Sequence, residues 1–204
     1  MALSAPMQRL VNNVSVHVPG ALANILQLET FNTLDEFFKD SNVWRENVNM
    51  PVLGDNVTTT YTVTTTETPA TINRFMSAVD GSKFPVLATM QTPGTIVLDH
   101  PATKADTYVV TLALTVADPT NSDNYPYAPA WIINKYFNGL IEGVLGRLQS
   151  QPAKPYTNER MSIYHLRRFR AAVALARVEA NHLNTYERPA WVFPQSFSVR
   201  RRRG

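Results

Sequence analysis

The residues best suited to chemistry in this chain are arginines. Arg160, Arg167, Arg170 and Arg177 recur at spacings that place them within about 100° of arc on one helix. Arg200, Arg201, Arg202 and Arg203 stand together near the C-terminus. A guanidinium stays charged and carries a planar fork of donors, so its chemistry is recognition: paired hydrogen bonds to carboxylates, phosphates or main-chain carbonyls. The four on the helix form either a solvated face or a stripe turned toward a neighbouring subunit or partner. The terminal four follow Trp191, Phe193, Pro194 and Phe197, a segment with three large rings and no helical period to bury them. It is either a loose basic tail that packs a ring on its own domain, or an arm that seats aromatic anchors in another chain and caps them with charge.

Groups that make or break covalent bonds are poorly placed. His17, His100, His165 and His182 have no ligand spacing among themselves, and the chain has no cysteine, which removes disulfides and thiolate metal sites. There is no nucleophile elbow, phosphate loop or zinc-protease helix motif. The neighbouring carboxylates Asp35 and Glu36 suit general acid and base roles, but they sit beside a possible helix start, where capping accounts for them. No zinc-finger spacing or aromatic sheet signature of single-strand binders is present. The reading is a non-enzymatic chain with no cofactor and no metal.

Charge is unevenly spread. Residues 160–204 carry ten arginines against Glu179 and Glu187, a net charge of +8, whereas residues 1–159 carry nine basic and fourteen acidic groups, a net charge of −5. A basic C-terminal third on a mildly acidic body calls for an anionic partner, nucleic acid or an acidic protein surface. Of the 204 residues, 44% are hydrophobic, enough for a true core. No run approaches the roughly 18 apolar residues of a membrane span, and the N-terminus lacks the pattern of a secretory signal.

The elements that position these groups read as α+β, a helical bundle built on a long antiparallel helix hairpin, with an inserted antiparallel β subdomain and an extended C-terminal arm. Ile132, Ile133, Tyr136, Phe137, Leu140, Ile141, Val144, Leu145 and Leu148 make one helical stripe; Leu166, Phe169, Val173, Ala176, Ala180 and Leu183 make another, across a proline-rich joint at Gln151–Asn158. Gly139 and Gly143, four apart, let another backbone come close. The segments are 1–47, an N-terminal stretch and first helix; 48–128, rich in β; 129–188, the hairpin; and 189–204, the arm. Within the first, Val14, Val16 and Val18 alternate as a short extended piece. A helix then runs from Pro19 to about Asp40, with a restart at Asn32 or Thr33, and Trp44-Arg45 falls in a turn. The β region holds about five antiparallel strands with one buried face, clearest at Thr107–Val116, and turns at Asp80-Gly81 and Pro93-Gly94.

The stretch QPAKPYTNERMSIYHLRRFRAAVALARVEAN, the later AWVFPQSF, and TLDEFFKDSNVWRE nearer the start resemble head-to-tail adaptor (connector, head-completion) proteins of short-tailed bacteriophages. The resemblance spans about Pro19–Phe197 and is strongest after Tyr125. The β region departs from the plainer helical members. The resemblance implies a structural virion protein of the head-tail neck, made in the host cytoplasm. It implies a homo-oligomeric ring of twelve copies below the portal protein, closing the DNA-filled capsid and receiving the tail nozzle or other tail proteins. Genomic DNA would pass through the channel without sequence-specific binding. Trp191, Phe193, Pro194, Phe197 and Arg200–Arg203 would be the portal-binding arm, and Arg160, Arg167, Arg170 and Arg177 would face neighbouring subunits or the portal. Two other functions stay open: a basic DNA-associated virion protein, recognisable by a steep salt dependence of DNA binding, and a peptidoglycan-cleaving tail accessory protein, recognisable by zymography.

Overall fold

The computed structural model describes residues 4–67, 69–117 and 126–183. Helix α1, Ala5–His17, comes first. The alternation of Val14, Val16 and Val18 suggests an extended piece, but Met7, Leu10, Val11 and Val14 repeat at helical spacing and are all buried, with a proline in the first turn. Val16 is left pointing outward. Helix α2, Ala23–Ser41, is uninterrupted. No second segment starts at Asn32 or Thr33, because the Thr30 and Thr33 hydroxyls turn back and donate to the carbonyls of Leu26 and Glu29, both at 2.7 Å. Asn42 ends α2 in the left-handed region (φ 50°), its N–H donating to Phe38 O.

Seven strands follow among the described residues, more than the five expected. The larger antiparallel sheet contains β1 (Arg45–Val52), β7 (Asp106–Val116), β3 (Ala70–Val79) and β4 (Pro85–Val86) in that spatial order; the smaller contains β2 (Thr60–Thr62), β6 (Thr95–Leu98) and β5 (Ala88–Thr92). The turn expected at Trp44-Arg45 is in fact the start of β1. Asn47, Asn49 and Pro51 disguise it, being poor strand formers, yet β1 pairs on one side only, where proline is tolerated. Trp44 itself is buried, and its carbonyl accepts the Leu114 N–H at 2.8 Å. Strand β7 departs from the one-face pattern. Val110, Leu112, Leu114 and Val116 are buried as the alternation requires, but Ala113 and Thr115 on the other face are buried too. Helix α2 lies over that face, and Thr115 donates to Asp35 Oδ1 at 2.9 Å.

Helices α3 (Ala130–Lys135), α4 (Phe137–Gln149) and α5 (Glu159–Leu183) complete the chain. They correct the expected architecture. A helical bundle built on a long helix hairpin is not what forms. Its first arm is divided at Tyr136 (φ −106°, ψ 20°) into six-residue α3 and 13-residue α4. The apolar period runs straight through this break, so spacing alone conceals it. The structure is α+β, with five helices among the described residues, most of them short, and α2 packs on β7 as well as on α4 and α5. A strand buried on both faces needs a helix to cover its second face, and this competes with helix-on-helix burial.

Where α4 meets α5 and α2, the glycines set the separation. A Cβ at Gly139 would lie 2.5 Å from Ala172 Cβ, and one at Gly143 would lie 2.5 Å from Thr33 Cγ2 and 2.7 Å from the Phe169 ring. Alanine is the better helix former by up to about 1 kcal/mol, but overpacking a filled core costs about 1–3 kcal/mol. Gly143→Ala is therefore expected to destabilise the fold by up to about 2 kcal/mol, read as a lower urea midpoint at unchanged slope; a higher midpoint would contradict this packing.

Candidate partner-binding face

The arginine stripe sits on α5, which is anchored at both ends. At its start Asn158 caps the helix: its Oδ1 accepts the Met161 N–H at 3.1 Å and its carbonyl accepts the Ser162 N–H at 2.8 Å. The joint before it is pinned by Thr157, whose hydroxyl donates to Gln151 O at 2.6 Å, and by buried Tyr156, whose hydroxyl donates to Gln151 Oε1 at 3.2 Å. Along its inner side Ser162, Phe169, Val173, Ala176 and Ala180 are buried. Glu142 of α4 holds the helix from the flank, accepting from Arg168 at 3.0 Å and pairing with His165. Near its end Arg177 Nε donates to Asp40 O at 2.6 Å, and Asn181 Oδ1 accepts from Arg45 at 3.1 Å.

This anchoring fixes what α5 turns outward. Arg160, Arg167, Arg170 and Arg177 are all exposed. The structure separates them: Arg177 is engaged with Asp40, while Arg160, Arg167 and Arg170 make no ion pair among the described residues. Arg170 and Arg177 share the wall of a small cleft with Glu36, Asp40 and Val173. Arg177 also borders a groove of about 480 Å³ with Lys39, Arg74 and Asn181.

Sequence reasoning missed the apolar half of this face. Tyr164, Leu175 and Val178 are exposed at 49%, 58% and 52%. With Arg168 and Ala171 they follow the spacing 4-3-4-3, which on a helix makes a continuous seam of the kind that packs against a partner. The signal is present in the sequence, but the stronger inner stripe hides it. A helix with one buried stripe is usually credited with only one.

The remaining candidates resolve into structure. Asp35 accepts from Lys39 at 2.7 Å and from Thr115, and Glu36 pairs with Arg147. They lie within α2, so ion pairing and not capping explains them. His165 and Glu142 form a largely enclosed pair with no hydroxyl nucleophile bonded to the ring among the described residues. Lys135 sits 2.8 Å from Glu179, which also accepts from Tyr136 at 2.7 Å; the two bonds hold the Glu179 carboxyl below its ordinary value, that from Lys135 foremost. Trp191, Phe193, Pro194, Phe197 and Arg200–Arg203 lie outside the described residues. Among the described residues no group of three or more His, Asp or Glu side chains could hold a metal, and no helix is long and apolar enough to cross a membrane. No protein-family model matches the chain, and no curated protein matches it.

A second exposed surface lies where β1 ends and β7 begins. The loop after Val52 and the turn after Val79 both close on the start of β7, Gly81 N–H donating to Asp106 Oδ2 at 3.0 Å and Asn56 N–H to Ala102 O at 3.2 Å. Leu53, Val57, Phe84 and Leu87 are exposed here. Asp55, Asp80 and Asp106 lie on these loops with Lys83 and Lys104, and Asp99, whose N–H donates to Leu87 O at 3.0 Å, stands beside Leu87. The Asp55 carboxylate accepts from the Thr58 hydroxyl at 2.5 Å and from the Thr58 and Val57 N–H groups at 2.8 and 2.9 Å. These bonds, the Thr58 hydroxyl first, pull its pKa down to about 2. A carboxyl whose folded value is depressed stabilises the fold fully above its unfolded value of about 4 and loses that contribution as pH falls. Wild type should therefore be more stable than Asp55→Ala at neutral pH, with the difference closing between about pH 4 and pH 2. Paired urea titrations across that range check this; a pH-independent difference would show that the carboxylate charge is not what organises the loop.

Proposed function

We propose that this chain is a structural virion protein: a head-to-tail adaptor whose copies form a ring below the portal protein, close the DNA-filled capsid and give the tail its docking platform. The observation that supports the reading is the outer face of α5. A helix held from both ends and one flank turns outward a seam of Tyr164, Leu175 and Val178 beside three arginines that have no ion pair among the described residues. Isolated exposed apolar residues are ordinary, but a row in helical register beside unspent charge is what a subunit of an assembly carries. The resemblance of 152–197 to phage adaptors supplies the partner. The arm at Ala190–Arg203 would seat Trp191, Phe193 and Phe197 in the portal, and the arginines after them would bond carboxylates or carbonyls there.

In this reading the free chain is largely monomeric and the ring forms on the portal. DNA crosses the channel without being gripped, since a continuous basic lining would hold it through many phosphate contacts. The arginines of α5 accordingly face neighbours or portal. Deleting Ala190–Gly204 should leave a folded soluble domain, because the buried core lies upstream of it. The same deletion should abolish retention on portal-bearing heads, and such particles should leak DNA. Trp191→Ala should weaken retention more than any single change among Arg200–Arg203, whose charges can replace one another. Co-sedimentation with portal-bearing heads is the measurement. Retention of the truncated chain at wild-type occupancy would remove the arm from the attachment. Tight, steeply salt-dependent binding to free DNA with no affinity for heads would replace the adaptor by the DNA-associated alternative.

A further inference from the structure

Two surfaces of this molecule lack a partner, and their chemistry is opposite. The outer face of α5 presents Tyr164, Leu175 and Val178 with Arg160, Arg167 and Arg170, which form no ion pair among the described residues. The far end of the sheets presents Leu53, Phe84 and Leu87, exposed at 58%, 68% and 74%, among four aspartates. Among the described residues none of Asp55, Asp80 and Asp106 forms an ion pair with lysine or arginine; Asp99 pairs only with His100. The carboxylates of Asp55, Asp80 and Asp106 accept from backbone N–H groups instead, as Asp80 Oδ1 does from Ser82 and Phe84, which keeps them in place.

We propose that the acidic, apolar sheet end of one copy docks on the basic, apolar outer face of α5 of the next copy. The symmetric alternatives are disfavoured by charge. Pairing α5 with α5 would set Arg160, Arg167 and Arg170 of one copy against those of the other, the nearby Glu36, Asp40 and Glu142 being already engaged with Arg147, Arg177 and Arg168, and pairing two sheet ends would set aspartates against aspartates. The unlike pairing satisfies both surfaces. The last turns of α5 and the sheet end lie apart: Arg45, bonded to Asn181 near the end of α5, and Val52, at the sheet end, are separated by seven residue steps along β1, about 23 Å of strand. One surface of each kind, well separated on one chain, makes a head-to-tail contact that repeats from copy to copy and closes into a ring when the rotation allows. The closure rests on the adaptor reading; the contact does not.

The absence of cysteine makes the contact directly testable. Leu175→Cys, Phe84→Cys and Leu87→Cys are all at exposed positions, so each leaves the core untouched. The full-length variants are concentrated to the order of millimolar, where a weak interface is populated, and mildly oxidised. Mixing Leu175→Cys with either sheet-end variant should give disulfide-linked dimers at least tenfold above the level of any variant alone, and a chain carrying both cysteines should give a ladder. Adding Arg167→Glu and Arg170→Glu should reduce the ladder at least tenfold. Dimers from Leu175→Cys alone at the level of the mixture, or mixtures no better than single variants, would overturn the proposal. A ladder that grows into open filaments keeps the contact and removes the ring. Rings seen by electron microscopy in samples that fail to cross-link keep the ring and overturn the contact.

Discussion

The structure depends on one aromatic knot. Phe37 and Phe38 are fully buried neighbours on α2, with ring centroids 5.7 Å apart in an edge-on arrangement. Because they are adjacent, they point about 100° apart around the helix and reach different parts of the fold. Phe37 packs on Tyr136, 5.2 Å away at the junction of α3 and α4, and on Phe169 of α5, 6.4 Å away. Phe38 packs on Trp44 at 5.2 Å, and Trp44 continues the row to Tyr127 while its carbonyl is taken up by β7. Offset and edge-on rings add specific geometry to the large area they bury. One dipeptide thus sets α5, the helix break and the edge of the sheet relative to one another. Tyr136 repeats the logic at smaller scale: its ring belongs to the knot, its hydroxyl reaches Glu179 on α5, and burial first of all pushes its phenol pKa up.

What could be read in the sequence follows from how local each signal is. The alternation of Val110, Leu112, Leu114 and Val116 needs only its own backbone period, so β7 is legible, as is the helical period of α5. The Asp80-Gly81 turn is legible for the same reason, because Asp80 organises it through its own side chain. The break at Tyr136 is not, because nothing in the apolar spacing changes there; the knot and the bond to Glu179, from α2 and α5, accompany it. Strand β1 is concealed by asparagines and a proline that only an edge position excuses. The helix hairpin fails as a foundation because the sequence cannot show that the second face of β7 competes for α2.

The candidate face divides along the same line. The arginine arc is legible, since helical spacing suffices to place it. Which arginines are free is not, because that depends on where acids from other elements fall. Asp40 takes Arg177, Glu36 takes Arg147, Glu142 takes Arg168 and His165, and Glu179 takes Lys135. After these pairings Arg160, Arg167 and Arg170 are the arginines of α5 left without an ion pair among the described residues. Exposed guanidiniums are comfortable in water, so their surplus alone argues for little. It gains meaning from the exposed tyrosine, leucine and valine beside them, which are visible only once the inner face of α5 is seen to be filled by other residues.

In the proposed assembly the outer face of α5 and the C-terminal segment would bind on different terms. The outer face of α5 is already a rigid helix. Burying Leu175 or Val178 there can contribute up to about 1.5–3 kcal/mol each, set against side-chain freedom lost by the flanking arginines, about 2 kcal/mol at most for each one held. The fifteen residues Ala190–Gly204 have no helical period to order them in advance. Fixing such a segment costs roughly 1–2 kcal/mol of backbone entropy per residue, more than three buried rings return. In the proposed attachment it would draw on charge-assisted bonds, at about 1.5–3 kcal/mol each, from a partner that offers carboxylates and carbonyls in place. A preformed face suits reversible contact between identical copies. A basic segment of that length gains its affinity from a large, structured partner. A ring of copies tied through α5 and held to such a partner by their C-terminal segments would therefore be weak as a free chain and firm once seated.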